Sequence, residues 1–151
     1  MTSCEHLDLS EGKSQLPAGL IEAYAQTEFS VDAQPAFTLY IGQYCALLKE
    51  VMTQARVNTC LFITACNPYS QTLTDGDNAQ RTKQLESDIN LRGLQYLTGM
   101  GQHALHDWPG EASFLVLGVS PDISKDLGHA YEQNAVVWSD ADAIARLWLL
   151  R

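Results

Sequence analysis

Long apolar runs are missing from this sequence: none approaches the roughly 18 residues of a helical membrane span, so no membrane crossing is expected. Basic residues are scarce as well, 9 Lys and Arg against 18 Asp and Glu. The resulting formal charge of -9 removes the electrostatic grip that nucleic acid or an anionic membrane surface requires. The four cysteines, Cys4, Cys45, Cys60 and Cys66, form no CxxC pair. Three of them lie in apolar segments where a thiol packs as a small hydrophobe, which argues for a reducing compartment. The opening residues, Met1 to Asp8, lack the charged-then-apolar order of a secretory signal, so an unexported, cytoplasmic chain is expected.

Familiar chemical fingerprints are absent too. Thr98-Gly-Met-Gly-Gln102 has no third glycine and does not match a dinucleotide loop. The stretch after Asn67 contains only Gly76, has no Lys-Ser/Thr pair, and places Asp75 and Asp77 where a phosphate would be repelled. No repeat, low-complexity tract or linker interrupts the chain. No cofactor is implied.

What is present is an ordinary globular balance, 46% hydrophobic and 18% charged over 151 residues, which suits one domain with one core. Residues 1–15 are polar and aperiodic and read as a flexible tail, leaving 16–151 as a single globular domain. Charge is uneven. The first and last thirds are acidic, whereas residues 51–100 balance four acids with Arg56, Arg81, Lys83 and Arg92. An anionic ligand is therefore to be sought in the middle third.

Apolar periodicity supplies the elements. Pro17 suits a first helical turn, followed by Leu20, Ile21 and Tyr24 on one face; Ala36 to Ile41 reads as a strand. Leu47, Leu48, Val51, Met52 and Ala55 form the stripe of a second helix. Thr59 to Ala65 is apolar on both alternating faces, which predicts a central strand, as does Ala112 to Gly118. Thr74 caps a helix running to about Leu91, stopped by Gly93. Leu94 to Leu97 suggests a strand that leads into a glycine-containing loop. Ser120-Pro121 opens another helix, and Asn134 to Trp138 with Arg146 to Leu150 end the chain as a hairpin-like pair. The expected class is α/β or α+β, a single domain with a mixed sheet of about five or six strands and helices packed on both faces.

One constellation stands out. At 100° per residue, Asn78, Arg81, Leu85, Ile89 and Arg92 share one helix face, and Leu85 with Ile89 marks it as the core side. An inward arginine must be paired or ligated, because a buried unpaired charge costs several kcal/mol. Thr64, Asn67 and Ser70 lie between the central strand and this helix, Glu111 and Ser113 begin the other central strand, and Gln133 and Asn134 begin the next. If those edges meet, Thr64, Asn67, Ser70, Asn78, Arg81, Glu111 and Gln133 form a pocket for a small polar or anionic ligand, with Arg81 as a planar fork. The competing reading is architectural: Arg81 pairs with Glu111, Asn78 satisfies loop carbonyls, and the set locks a connection onto the sheet.

Whether the site catalyses anything is open at this level. Glu111 is the one plausible acid or base, without a nucleophile or metal beside it. Cys66 has no identifiable base among the histidines and reads as packing. His103 and His106, with Asp107, are weak metal-ligand candidates because no further Cys or His pair completes a zinc set.

Several ordered motifs resemble the bacterial domain-of-unknown-function 3293 family. They are Ala23-Tyr24-x-x-Thr27, Phe62 to Ala65 with Asn67-Pro68 and Ser70, Asn78-x-x-Arg81, Trp108-Pro109, Glu111-x-Ser113-x-Leu115 and Gln133-Asn134-Ala135. The match runs from about Leu20 to Leu150, and departs where Cys66 replaces an expected aromatic and Gly110 is inserted. The resemblance implies no activity or cofactor. The expectation is thus a cytoplasmic domain that binds a small polar or anionic ligand around Arg81, the alternative being a noncatalytic protein-interaction or regulatory module whose polar cluster is structural. Any protein partner is unspecified.

Overall fold

In the computed structural model, which describes residues 7–9, 14, 16–105 and 109–151, the doubly apolar segments become neighbouring central strands. Eight strands occur among the described residues: β1 (Leu7–Leu9), β2 (Thr27–Val31), β3 (Phe37–Leu39), β4 (Cys60–Thr64), β5 (Gln95–His103), β6 (Glu111–Leu117), β7 (Ala135–Ser139) and β8 (Arg146–Leu149). They form one sheet in the order β1-β8-β7-β4-β6-β5-β2-β3. The β1–β8 pair is parallel and every other pair is antiparallel, including the hairpin-like β7–β8 pair. The sheet curls, and main-chain bonds from Gly42 to Ala145 and from Cys45 to Ala143 tie the chain after β3 to the approach to β8.

Four helices cover its two faces: α1 (Ala18–Ala25), α2 (Ala46–Ala55), α3 (Asp75–Leu91) and α4 (Pro121–Ala130). Alternation along β4 assigns the faces. Cys60 and Phe62 join the core built with Leu48 and Met52 of α2, against which Ile21 and Tyr24 of α1 also pack. Leu61 and Ile63 join the opposite core, built with Leu85 and Ile89 of α3 and Leu127 of α4. The class is α+β in a single domain.

Caps fall where the sequence puts them. The Thr74 hydroxyl accepts from Asp77 N at 3.1 Å, and the Ser120 hydroxyl from Ile123 N at 3.2 Å with Pro121 in the first turn. Gly93 follows α3 with φ of 72°, a left-handed position suited to glycine.

The strand count exceeds the expected five or six by β1 and β2, and β5 is longer than expected. Thr27–Val31 alternates half-polar with apolar residues, so only Phe29 and Val31 carry a core signal. The supposed loop after Leu97 is the far half of β5, paired on both sides with β2 and β6. Gly99 belongs in that strand because a Cβ there would lie 2.3 Å from the Ser30 carbonyl oxygen. Leu7–Leu9, inside the expected tail, runs beside β8, while residues 1–6, 10–13 and 15 lie outside the described residues.

Candidate functional site

The chain leaves β4 through an unusual turn. Asn67, Tyr69 and Ser70 all have positive φ, at 50°, 50° and 63°. Asparagine tolerates this region, but for tyrosine and serine the conformation costs on the order of 1–3 kcal/mol each and must be held by its surroundings. The Tyr69 amide donates to the Glu132 carbonyl at 2.7 Å, and Ser70 N donates to the Asn67 carbonyl at 2.9 Å.

Asn67 is the hub of the turn. Its main-chain N donates to Asn78 Oδ1 at 2.9 Å, while its own Oδ1 accepts from Asn78 Nδ2 at 2.9 Å and from Leu73 N at 3.0 Å. Because a main-chain N–H occupies Oδ1, the amide orientation is determined, and Nδ2 faces Glu111 Oε2 at 2.7 Å. Burial pushes the Glu111 carboxyl above its ordinary value, against the opposing pull of the Asn67 bond.

Arg81 does not pair with Glu111. Its Nε donates to the Ala65 carbonyl at 2.6 Å and its Nη2 to the Tyr131 carbonyl at 2.6 Å. The carboxylate partner is Glu132, 3.5 Å from Nη1, with 47% of its side chain exposed against 23% for Arg81. Helical phase thus predicts the inward turn of Asn78 and Arg81, but Arg92 ends α3 as an exposed residue. Buried Gln133 completes this side, its Nε2 donating to the Cys66 and Tyr131 carbonyls at 3.1 and 3.0 Å.

Ser70 belongs to a separate group. Its hydroxyl meets Tyr24 Oη at 2.9 Å and Asn134 Nδ2 at 3.0 Å, while Arg151 Nη1 donates to Asn134 Oδ1 at 3.2 Å. Thr64 is committed to its own corner: Oγ1 donates to the Ala112 carbonyl at 2.7 Å and accepts from Cys66 N at 3.1 Å. The Cys66 thiol is buried against Thr82 Oγ1 and the Ala112 carbonyl, both at 3.8 Å.

All seven expected residues therefore sit around one end of the sheet, but in distinct groups. Asn67, Asn78 and Glu111 form one, Arg81 and Gln133 share the Tyr131 carbonyl in a second, and Ser70 lies in a third. Glu132 escapes the sequence reading because its role depends on a left-handed backbone, φ of 57°, just after α4. The acidic residue next to Gln133 is the only signal that pointed to it.

His103 is buried at the end of β5, with Nδ1 accepting from Leu105 N at 3.3 Å, and His106 lies outside the described residues. Among the described residues no group of three or more His, Cys, Asp or Glu is placed to hold a metal ion. No helix among them is long and apolar enough to cross a membrane.

A family model described as a protein of unknown function, DUF3293, matches residues 63–136, which contain the turn, α3, Glu111 and Gln133. No curated protein and no solved structure matches the chain.

Proposed function

Since the chain belongs to the DUF3293 family, whose function is not assigned, we propose from its own site that it binds a small anionic ligand at Arg81. The observation that carries this is the unequal occupation of the guanidinium. Two of its groups are fixed at 2.6 Å on main-chain carbonyls, whereas its carboxylate partner stands at 3.5 Å and is half exposed. The fork is therefore oriented in advance, and its only anionic contact among the described residues is one that a ligand carboxylate or phosphate can replace. Glu132 acts as the built-in competitor. The residues grouped with Arg81 and Asn67 orient the polar remainder of the ligand, and the setting is the reducing cytoplasm.

Glu132→Ala tests this without disturbing the core, because the side chain is half exposed. Thermal-shift titration with a panel of carboxylates and phosphates is expected to stabilise Glu132→Ala more than the parent chain. A panel that stabilises neither at millimolar concentration would overturn the proposal.

A second reading has its own support. The two 2.6 Å bonds from Arg81 to carbonyls tie α3 to the end of β4 and the end of α4, as an architectural lock would. On that reading the chain is a noncatalytic interaction or regulatory module, and its acidic surface meets a basic partner. Salt-sensitive co-purification of such a partner, unchanged by Glu132→Ala, would favour it.

A further inference from the structure

Arg56, a base of the middle third that the Arg81 site does not use, borders an open cleft of about 290 Å³ between the end of α2 and the turn at Ala141. That volume stands near the lower end of small-molecule clefts, roughly 300–1,000 Å³. Lys49, Met52, Thr53 and Arg56 recur at helical spacing and form one wall. Arg56 ends α2 in the left-handed region, φ of 60°, where glycine is the usual residue, and the chain then brings Val57 and Asn58 into the lining.

The lining holds two cations and no acid, in a chain with 18 Asp and Glu against 9 Lys and Arg. Lys49 spends one of its three donors on the Ala141 carbonyl at 2.7 Å, which sets its ammonium across the cleft. The Arg56 guanidinium and the Asn58 amide make no hydrogen bond or ion pair among the described residues. The acids on either side of Ala141 are turned to Arg146, Asp142 at 2.5 Å and Asp140 at 4.0 Å. Glu50 stands about 100° round the helix from Lys49, off the cleft wall. The negative end of α2 is partly satisfied, since Arg56 N and Val57 N donate to the Thr53 and Met52 carbonyls at 3.1 and 3.0 Å. Met52, 1% exposed, and half-buried Val57 supply an apolar floor.

We propose that this cleft binds the phosphate monoester of a small apolar or aromatic molecule, with the phosphate between Lys49 and Arg56 and the apolar part on Met52 and Val57. A phosphate monoester carries nearly two charges and three acceptor oxygens, which suits two cations and a free amide better than a carboxylate does. Lys49 and Arg56 lie two turns apart on one helix face, about 10 Å along the axis, a span that two long side chains close from either end. The cleft is on α2, which packs on the sheet face opposite to α3 and its Arg81. The inference therefore goes beyond the Arg81 site and does not depend on it.

The test is an NMR titration of the full chain with phenyl phosphate, compared with inorganic phosphate and with phenol. Saturable shifts are expected with millimolar phenyl phosphate at the amides of Thr53, Arg56, Val57 and Asn58, weaker with inorganic phosphate and absent with phenol. The double variant Lys49→Gln with Arg56→Gln is expected to weaken the response at least about tenfold. Both side chains are exposed, and Arg56→Gln breaks no bond among the described residues, so the single variant decides if the double one fails to fold. Phenyl phosphate shifts that do not saturate, that are confined to the surroundings of Arg81, or that are undiminished in the variants would overturn the inference. Equal affinity for inorganic phosphate would overturn the apolar part of the assignment. A phosphate response at Arg81 is expected to survive in Arg56→Gln, so failure of either site is separable from failure of the other.

Discussion

Asn67 and Asn78 clasp each other: the main-chain N–H of Asn67 donates to Asn78 Oδ1, and Asn78 Nδ2 donates back to Asn67 Oδ1, both at 2.9 Å. This reciprocal pair fixes the start of α3 against the end of β4. It also sets the amide that holds Glu111.

Asn78→Ala removes both bonds and leaves a partly buried amide hydrogen of Asn67 without its acceptor. The expected loss is about 1–3 kcal/mol of stability, read by urea denaturation. Asn78→Asp keeps the acceptor for Asn67 N but sets a carboxylate against Asn67 Oδ1, so it too should destabilise, and more at neutral than at acidic pH.

Glu111→Gln should make the protein more stable at neutral pH. The folded-state pKa of Glu111 is raised by burial, so the folded chain holds its proton more tightly than the unfolded chain does. The contribution of Glu111 to stability is therefore greatest below the ordinary carboxylate value and falls as pH rises through the raised folded value. The advantage of the Gln variant should grow over that same window and then level off, as followed by denaturation at several pH values. A stability difference that does not change with pH would contradict this placement of the carboxyl.

Arg81→Lys should cost about 1–3 kcal/mol, because an ammonium lacks the planar fork that reaches the Ala65 and Tyr131 carbonyls together. Glu132→Ala, by contrast, should stay within roughly 0.5 kcal/mol of the parent, as a half-exposed partner at 3.5 Å contributes little. Equal losses in the two variants would mean that the ion pair, and not the carbonyl bonds, orients Arg81.

Neighbouring glycines of β5 should respond oppositely to alanine. Gly99→Ala places a carbon 2.3 Å from the Ser30 carbonyl oxygen and must push β2 away, whereas Gly101→Ala meets only ordinary contacts. A loss of about 1–3 kcal/mol is expected for the first and a near-neutral change for the second in thermal unfolding.

Cys60 should resist thiol reagents in the folded chain. Burial, with a smaller push from Asp140, raises its thiol to about 12, so almost no thiolate exists at neutral pH. Of the three cysteines among the described residues, half-buried Cys45 should label first, as peptide mapping after a short alkylation pulse would show.

How far the sequence reveals this molecule depends on the element. Where two apolar faces alternate, as in Cys60–Thr64, the strand and its central place are readable, and a capping hydroxyl such as Thr74 marks a helix start within a residue. Helical phase likewise turns Arg81 inward. Its partners cannot be read, because they are main-chain carbonyls of Ala65 and Tyr131, brought together only when β4 and α4 pack on the same sheet. Glycine misleads in the segment 98–102, where turn chemistry and close strand approach leave the same letter in the sequence and only the Ser30 carbonyl decides between them. The architectural alternative pairs Glu111 with Arg81 on charge alone, but the Asn67 amide is the partner that reaches it.

The most direct test of the anion site is an NMR titration of Glu132→Ala with inorganic phosphate, followed at the Arg81 Nε–H resonance. The account predicts a saturable shift of that resonance, tighter than in the parent chain. An Arg81 resonance unmoved by phosphate in Glu132→Ala would contradict it, and would leave the guanidinium as a lock between β4 and α4.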